Sequence, residues 1–255
     1  MVRYSREDAL SERQFVLLYE AAEKLDEEKK IQSRFILMCA GRLGMRGGEI
    51  AHINKSWVNV YSNLIEIPKY DRCTHGKYDG EICGYCRNRA KDYLSTHNIS
   101  KEEAMIEVEE EFGDSINMKA KEEIISKKLS DNLSLSDVED EWWQPKTPAA
   151  VRSIPYDFQV RLQMTIERFF EMYDEFPISK SSLNRRVEKL VDISEVEKRV
   201  YPHSLRATAA TTHASRNVSP YALMSIMGWR DMETARTYIS ASDESAAIEV
   251  RSKHR

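Results

Sequence analysis

The chain has 255 residues, 41% of them hydrophobic, which is enough to bury a core as one large domain or two modest ones. No apolar run approaches the roughly 20 residues of a membrane span, and the N-terminal residues lack the apolar stretch of a signal peptide. These features argue against a membrane protein and predict a cytoplasmic one, although a net charge of −4 argues at first against a nucleic-acid partner.

The charge is distributed unevenly along the chain. Residues 101–141 hold 14 acids and 5 lysines, a net charge of −9, which leaves a net charge of +5 on all other residues. Residues 201–230 contain three arginines and no acid. A mildly basic body with an acidic segment is compatible with a DNA-binding protein, so the total charge excludes less than it first suggests.

Helical signals dominate the first part of the chain. Ser11 followed by Gln14 is a capping box, which predicts the start of a helix. A buried helix is predicted over residues 33–44, and a short one over residues 46–53. Residues 64–68, "LIEIP", have the composition of a strand.

The second part of the chain begins with two short strands, predicted over residues 141–157 on either side of a Pro/Ala turn. Helices are then predicted over residues 156–176, 179–193, 203–217 and 219–228. Asp231 is placed to cap a last helix, which carries Tyr238. The fold class predicted from these elements is mostly α with a small three-stranded antiparallel sheet.

Several side chains have the chemistry that a phosphate ligand requires. Arg46 and Glu49 are three residues apart; alone they favour a surface ion pair, but the two glycines between them would let a phosphodiester approach closely. The pair His203 and Arg206 has two interpretations. One is a buried histidine beside a solvated arginine, and the other is a clamp for phosphate. Lys146, at the predicted turn, is either an idle surface lysine or a general acid.

The candidate residues occur in a characteristic order: Arg46-x-x-Glu49, Lys146, His203-x-x-Arg206, Trp229 after a glycine, and Tyr238 nine residues later. This order resembles the catalytic domain of the tyrosine recombinases, the phage-integrase and Cre-like family, over residues 11–70 and 142–240. The most specific part is the C-terminal run from His-Ser-Leu-Arg through Met-Gly-Trp to Thr-Tyr-Ile. The resemblance implies a recombinase catalytic domain over 1–255, with an insertion at 71–141 and a C-terminal tail at 241–255.

The resemblance also implies a role for each residue in DNA cleavage. Tyr238 would attack a phosphodiester and form a 3′-phosphotyrosyl link with a free 5′-hydroxyl. Arg46 and Arg206 would hold the non-bridging oxygens, and Lys146 would protonate the leaving 5′ oxygen. A tyrosine of unperturbed pKa about 10 needs nearby positive charge or a base to act as a nucleophile. These cations supply it, so no cofactor is expected for catalysis.

The other members of the set have supporting roles by the same resemblance. His203 would assist proton transfer at the tyrosine or orient the phosphate. Glu49 would position Arg46 or His203. Trp229 stands where many family members carry histidine and Cre-like members carry tryptophan, and would donate its indole N–H to the phosphate.

The function predicted is a site-specific DNA recombinase or integrase of a mobile genetic element, acting as a homo-tetramer on double-stranded DNA. Two alternatives remain open: a monomeric type IB topoisomerase-like nicking-closing enzyme, and a non-catalytic, zinc-containing DNA-binding regulator derived from an integrase. Family members usually carry a separate helical clamp domain, yet only 45 residues precede Arg46. A minimal recombinase and one whose clamp was removed fit this equally. The DNA target and the direction of the reaction are not set by the sequence.

The predicted insertion contains four residues of the types that bind zinc. Cys73, His75, Cys83 and Cys86 form the pattern Cys-x-His-x7-Cys-x2-Cys. Four such ligands within a short stretch predict a zinc knuckle whose role is structural, since four protein ligands leave no open position. The alternative is a group of free intracellular thiols with a coincidental histidine. Cys39 is predicted to be a core thiol.

Overall fold

A computed structural model of the chain describes residues 5–76, 78, 81–141 and 143–239. The chain divides into two compact units. We call Met1–Lys69 together with Pro145–Arg255 the body, and Tyr70–Gln144 the insert. None of the helices in the described part of the chain is long and apolar enough to cross a membrane.

The α-helices of the described residues are, in chain order, α1 (Glu12–Ala21), α2 (Glu27–Gly41), α3 (Gly47–Ile50), α4 (Gly84–His97), α5 (Lys101–Phe112), α6 (Met118–Ser130), α7 (Val160–Met172), α8 (Lys180–Ile193), α9 (Pro202–Ser215), α10 (Pro220–Met227) and α11 (Met232–Arg236). The strands are β1 (Val58–Asn59), β2 (Leu64–Ile67) and β3 (Arg152–Pro155). The predicted fold class, mostly helical with one small three-stranded antiparallel sheet, is confirmed.

The sheet has the order β1-β2-β3, and both pairings are antiparallel. In the β2–β3 pairing, Ile65 lies opposite Ile154 and Ile67 lies opposite Arg152. Residues two apart on a strand share a face, so Arg152 lies on the face of Ile154, which is fully buried. The sheet therefore places a charged side chain on an apolar face.

The prediction of two strands within residues 141–157 is wrong. Only β3 forms there among the described residues, and it pairs with β2. Trp143 instead pairs with Asp71 of the insert in an isolated antiparallel bridge. Lys146 therefore does not lie at the tip of a hairpin but on the segment that leads into β3. Strand partners are non-local, so composition alone did not identify them.

The helix boundaries follow side-chain caps that are visible in the sequence. At α1, Gln14 N donates to Ser11 Oγ over 3.2 Å, and Ser11 N donates to Gln14 Oε1 over 2.9 Å. Ser219 caps α10, and Gly228 ends it in the left-handed conformation, with φ of 59°. Such C-terminal glycines adopt this conformation without a Cβ penalty.

The body packs around α2, which is buried along most of its length. Phe35 of α2 stacks on Phe169 of α7, with 3.7 Å between ring centroids. On another side, α2 packs against α9, whose small residues Ala207, Ala209 and Ala210 are all buried. Small side chains let the two helices approach closely, which brings the N-terminal turn of α9 near the segment that follows α2.

The last described helix is shorter than predicted. Asp231 caps α11 by accepting from Glu233 N over 3.0 Å, but the helix ends at Arg236. Tyr238 lies just beyond the helix, and its N donates to Ala235 O over 3.1 Å. The predicted tail at 241–255 lies outside the described residues.

The insert contains α4, α5 and α6, and α5 packs against α6. Asn98 and Asn132 brace the ends of this pair through side-chain bonds to the backbone of Leu133 and Ile99, each 2.8–2.9 Å long. Two lysines of α6 pair with glutamates of α5: Lys121 with Glu109 at 2.6 Å, and Lys128 with Glu107 at 2.7 Å. The glutamates of both pairs are exposed and the lysines partly so, and such pairs near the surface contribute little to stability.

Candidate active site

A cleft of about 550 Å³ opens on the body. Its lining includes five of the six predicted catalytic residues: Arg46, Lys146, His203, Arg206 and Trp229. They come from four segments that are far apart in the sequence. The sixth, Tyr238, is not among the described residues that line the cleft.

The Glu49 carboxylate fixes Arg46 at the cleft. Arg46 is the residue before α3, where its own N donates to Glu49 Oε2 over 2.8 Å. Its Nη1 donates to Glu49 Oε1 over 2.9 Å, and its Nη2 donates to Gly228 O over 3.0 Å. The guanidinium is 22% exposed, whereas Glu49 is 2% exposed. Arg46 is thus held through its backbone N and through its guanidinium group, and part of its side chain faces the cleft.

Arg152 is a member of the site that the sequence predictions did not include. Its Nη2 donates to Glu49 Oε2 over 2.9 Å and its Nη1 to Glu49 Oε1 over 3.1 Å, which is a two-pronged pair. Its Nη1 also donates to Ala150 O over 2.7 Å, and its Nε to Ile226 O over 2.6 Å. The alternation of β3 carries the signal, because an arginine on an apolar strand face needs a buried anion.

Glu49 is charged at neutral pH despite its burial. Burial alone would raise the pKa of its carboxyl group, but the guanidinium groups of Arg152, Arg206 and Arg46 outweigh that effect. The pKa of Glu49 is therefore lowered. One buried anion holds the cationic side chains of Arg46, just before α3, and of Arg152 on β3, and it also lies in the field of Arg206 on α9.

Arg206 and His203 are one turn apart on α9, which begins with Pro202 at its first position. Arg206 is 5% exposed and donates to Gly44 O and Met227 O. Burial, with the nearby charge of Arg46, lowers the pKa of Arg206 to about 9. His203 is exposed, but partial desolvation by the surrounding protein and the charge of Arg206 lower its pKa, which favours its neutral form.

Lys146 and Trp229 are the other two predicted residues in the cleft lining. Lys146 is exposed and precedes the short turn at Pro148–Ala150, which leads into β3. Trp229 follows Gly228, and its N donates to Met224 O over 3.0 Å. Lys146 can approach a ligand with a flexible ammonium group, whereas Trp229 is held by the end of α10.

Tyr238 is buried, with 5% of its surface exposed. Its ring stacks on Trp229, with 5.1 Å between the ring centroids and 19° between their planes. It packs in an apolar cluster that includes Ala207, Leu223 and Met227. The predicted nucleophile therefore contacts a residue of the cleft lining without being part of that lining.

The sequence matches the phage integrase family over residues 8–245. The chain belongs to the phage integrase family. Members of this family are tyrosine recombinases, so the predicted resemblance is confirmed. No curated protein matches the sequence.

Solved structures of this integrase class share its fold. The integrase of the Tn1549 transposon, in complex with transposon right-end DNA, matches with a TM-score of 0.57 and 14% identity, over 97% of this chain and 66% of that one. The same integrase with circular intermediate DNA matches with a TM-score of 0.55 and 15% identity, over 95% and 66%. The chain thus spans just under two thirds of the integrase chains in those structures.

Three cysteines of the insert form a candidate metal centre. The Sγ atoms of Cys73, Cys83 and Cys86 lie within 4.8 Å of one another. Cys83 N donates to Cys73 Sγ over 3.4 Å, and Cys86 N donates to Cys83 Sγ over 3.5 Å. Three sulfur atoms grouped at the start of α4 could bind one zinc ion as thiolates. His75, the fourth predicted ligand, stays a prediction.

Proposed function

We propose that the chain is a site-specific DNA recombinase that cleaves and rejoins double-stranded DNA through a 3′-phosphotyrosyl intermediate on Tyr238. The observation that supports this most is the meeting of five predicted side chains from four segments at one cleft. Two arginines, a lysine and a histidine around one space offer the charged donors that a phosphodiester requires. The DNA in the Tn1549 integrase structures supports the same class of partner.

In the proposed reaction, Oη of Tyr238 attacks the phosphorus, and the bond from phosphorus to the 5′ oxygen breaks. Lys146 donates a proton to the leaving oxygen, while Arg46 and Arg206 hold the non-bridging oxygens. Neutral His203, whose pKa is lowered, accepts the tyrosine proton. Attack by a 5′-hydroxyl on the phosphotyrosine reverses these steps. The bond energy is retained, so the reaction requires no cofactor.

The same proposal assigns two structural features outside the chemistry. We propose that residues 71–141 are an insertion in the catalytic domain and that Cys73, His75, Cys83 and Cys86 bind a structural zinc ion there. We also propose that four copies assemble on two duplexes and work in the cytoplasm on the DNA. The cysteine cluster supports the zinc site.

The test is covalent trapping on nicked suicide duplexes. A pool of nicked duplexes with a randomised core is incubated with the protein, and adducts are detected on denaturing gels and sequenced. Wild type is expected to form an adduct, and Tyr238→Phe to form none, because no other tyrosine is proposed to reach the phosphate. Tyr221→Phe is the matched control, since Tyr221 is 76% exposed and does not line the cleft.

Two outcomes would overturn the assignment: no adduct from wild type, or an unchanged adduct from Tyr238→Phe. Duplexes built from the trapped sequence then separate recombination from topoisomerase-like action. Recombination predicts joined strands from two different duplexes and a tetrameric complex. Relaxation of a supercoiled plasmid by a monomer, without such products, would favour the nicking-closing enzyme.

A further inference from the structure

The buried Arg152 guanidinium has more hydrogen-bond partners than a simple ion pair would need. Its side chain is 3% exposed, and all three of its nitrogens donate. They reach both carboxylate oxygens of Glu49 and the carbonyls of Ala150 and Ile226, over 2.6–3.1 Å. Arg152 does not line the cleft, so it is not placed to contact a phosphate that binds there.

These four bonds join three parts of the body that carry different site residues. Ala150 and Arg152 belong to the segment that begins with Lys146. Glu49 belongs to α3 and holds Arg46. Ile226 lies at the end of α10, three residues before Trp229. A single planar guanidinium thus connects the elements that supply the proposed general acid, a phosphate-binding arginine and the indole donor.

The packing around Gly228 leaves little room for these parts to shift. A Cβ atom at Gly228 would lie 3.0 Å from Ala149 O and from Ala150 Cα, and 3.1 Å from Arg152 Nη1. Gly228 O also accepts from Arg46 Nη2 over 3.0 Å. The turn after α10 therefore packs directly against residues 149–150, which precede β3. The Arg152 guanidinium contacts this turn and also donates to Glu49.

We infer that Arg152 is a positioning residue for DNA cleavage, acting through Glu49 on Arg46. Glu49 accepts from both arginines at once, and the Arg152 guanidinium donates to both of its carboxylate oxygens. Without that fork, the carboxylate can rotate toward Arg46 or Arg206 and draw a guanidinium out of the phosphate-binding geometry. This inference rests on the proposed function, and it adds a residue that the cleavage reaction requires.

The principal variant is Arg152→Lys, which keeps the charge but cannot form the two-pronged pair. Small misplacements of a transition-state group cost about 10²-fold in rate, so we expect the adduct-forming rate constant to fall about 10²-fold. Arg168→Lys is the matched control, because Arg168 is 60% exposed and makes one surface pair with Glu27. It should leave the rate within a factor of two or three of wild type, as exposed pairs contribute little.

A double-mutant cycle separates positioning from general damage. In an Arg46→Ala background, Arg152→Lys should cost no more than about threefold further, because effects through a shared partner are not additive. A second readout uses the trapped DNA sequence with a methylphosphonate at the scissile position. This neutral group reduces the demand for Arg46, so the Arg152→Lys defect should shrink to a few-fold. A site that is merely disordered would keep its full defect on both substrates.

If Arg152→Lys does not fold, Arg152→Gln takes its place, because Arg46 remains as a cation that pairs with the buried Glu49 carboxylate. The same cycle with Arg46→Ala then applies. Wild-type adduct with an unchanged rate in Arg152→Lys, or a full additional loss in the Arg46→Ala background, would overturn this inference and leave the proposed function standing. Absence of any wild-type adduct would overturn the proposed function itself.

Discussion

Tyr238 is buried behind Trp229, although the nine-residue spacing between them predicted that both residues act on the same phosphate. Trp229 lines the cleft, whereas Tyr238 stacks on it with 5% of its surface exposed. The phenol also lies within electrostatic range of Arg206, which lines the cleft. The sequence order placed both residues in one region, but it could not give the direction of the tyrosine ring, which depends on contacts with Ala207 and Leu223 of other helices.

His203 gives a pH-dependent prediction for the cleavage rate. Partial desolvation by the surrounding protein and the charge of Arg206 lower its pKa, so the neutral form predominates down to a pH below the ordinary value of about 6.5. Because the neutral ring is the proposed proton acceptor, the adduct-forming rate should fall on the acidic side of pH 6.5 and stay constant from there until the pH approaches the Arg206 pKa of about 9. The measurement is the single-turnover rate at subsaturating DNA, which reports the free enzyme.

His203→Gln is the control for that profile. It should lower the rate at neutral pH by roughly 10²-fold or more, which is the usual contribution of a positioned acid or base, and should flatten the acidic limb. An acidic limb that persists unchanged in His203→Gln would assign it to another group. A limb centred above pH 6.5 in wild type would contradict the lowered pKa.

At the scale of elements, local signals predicted helices better than strands. The serine caps at Ser11, Ser179 and Ser219 are hydrogen-bonded as their sequence positions indicate. The prediction of a strand on each side of the turn after Lys146 was wrong. β3 pairs instead with β2, which is separated from it along the chain by the insert. Arg152 was missed for the same reason, because its partner Glu49 is 103 residues away along the chain.

The cysteine cluster of the insert predicts a bound zinc ion. Wild type is expected to bind one zinc ion per chain, and Cys83→Ser to lose it, because three sulfurs within 4.8 Å of one another are suited to a single ion. Cys83 also caps α4, so loss of the metal should reduce helix content in the insert. Metal analysis with far-ultraviolet circular dichroism measures both effects.

Matched variants decide which residues hold the zinc. Cys39→Ala should retain it, since Cys39 is a core thiol of α2. His75→Ala should lose it, whereas His52→Ala serves as the comparison, its Nδ1 lying 2.8 Å from Gly48 O in the body. Zinc retained in His75→Ala but lost in His52→Ala would contradict the predicted fourth ligand. Zinc absent from wild type would contradict the site altogether.

At the scale of the whole molecule, the body holds every described residue of the cleft lining. β2 ends just before the insert and β3 begins a few residues after it, and these two strands pair with each other. The acidic residues that give the chain its negative net charge are concentrated in the insert, which leaves a basic body. The charge that first argued against a DNA partner therefore belongs to a different unit from the cleft.

Replacing residues 70–144 by a short Gly/Ser linker between Lys69 and Pro145 tests this division. The body should fold, because β2 and β3 pair without the insert and a shorter loop costs less entropy to close. Adduct formation on the trapped DNA sequence should persist within about tenfold of wild type, and zinc should be lost. Cooperative thermal unfolding confirms the fold, and the Tyr238→Phe form of the same shortened chain is the negative control. A folded body without adduct would mean that the insert contributes to DNA engagement, and an unfolded body would mean that the two units depend on each other for stability.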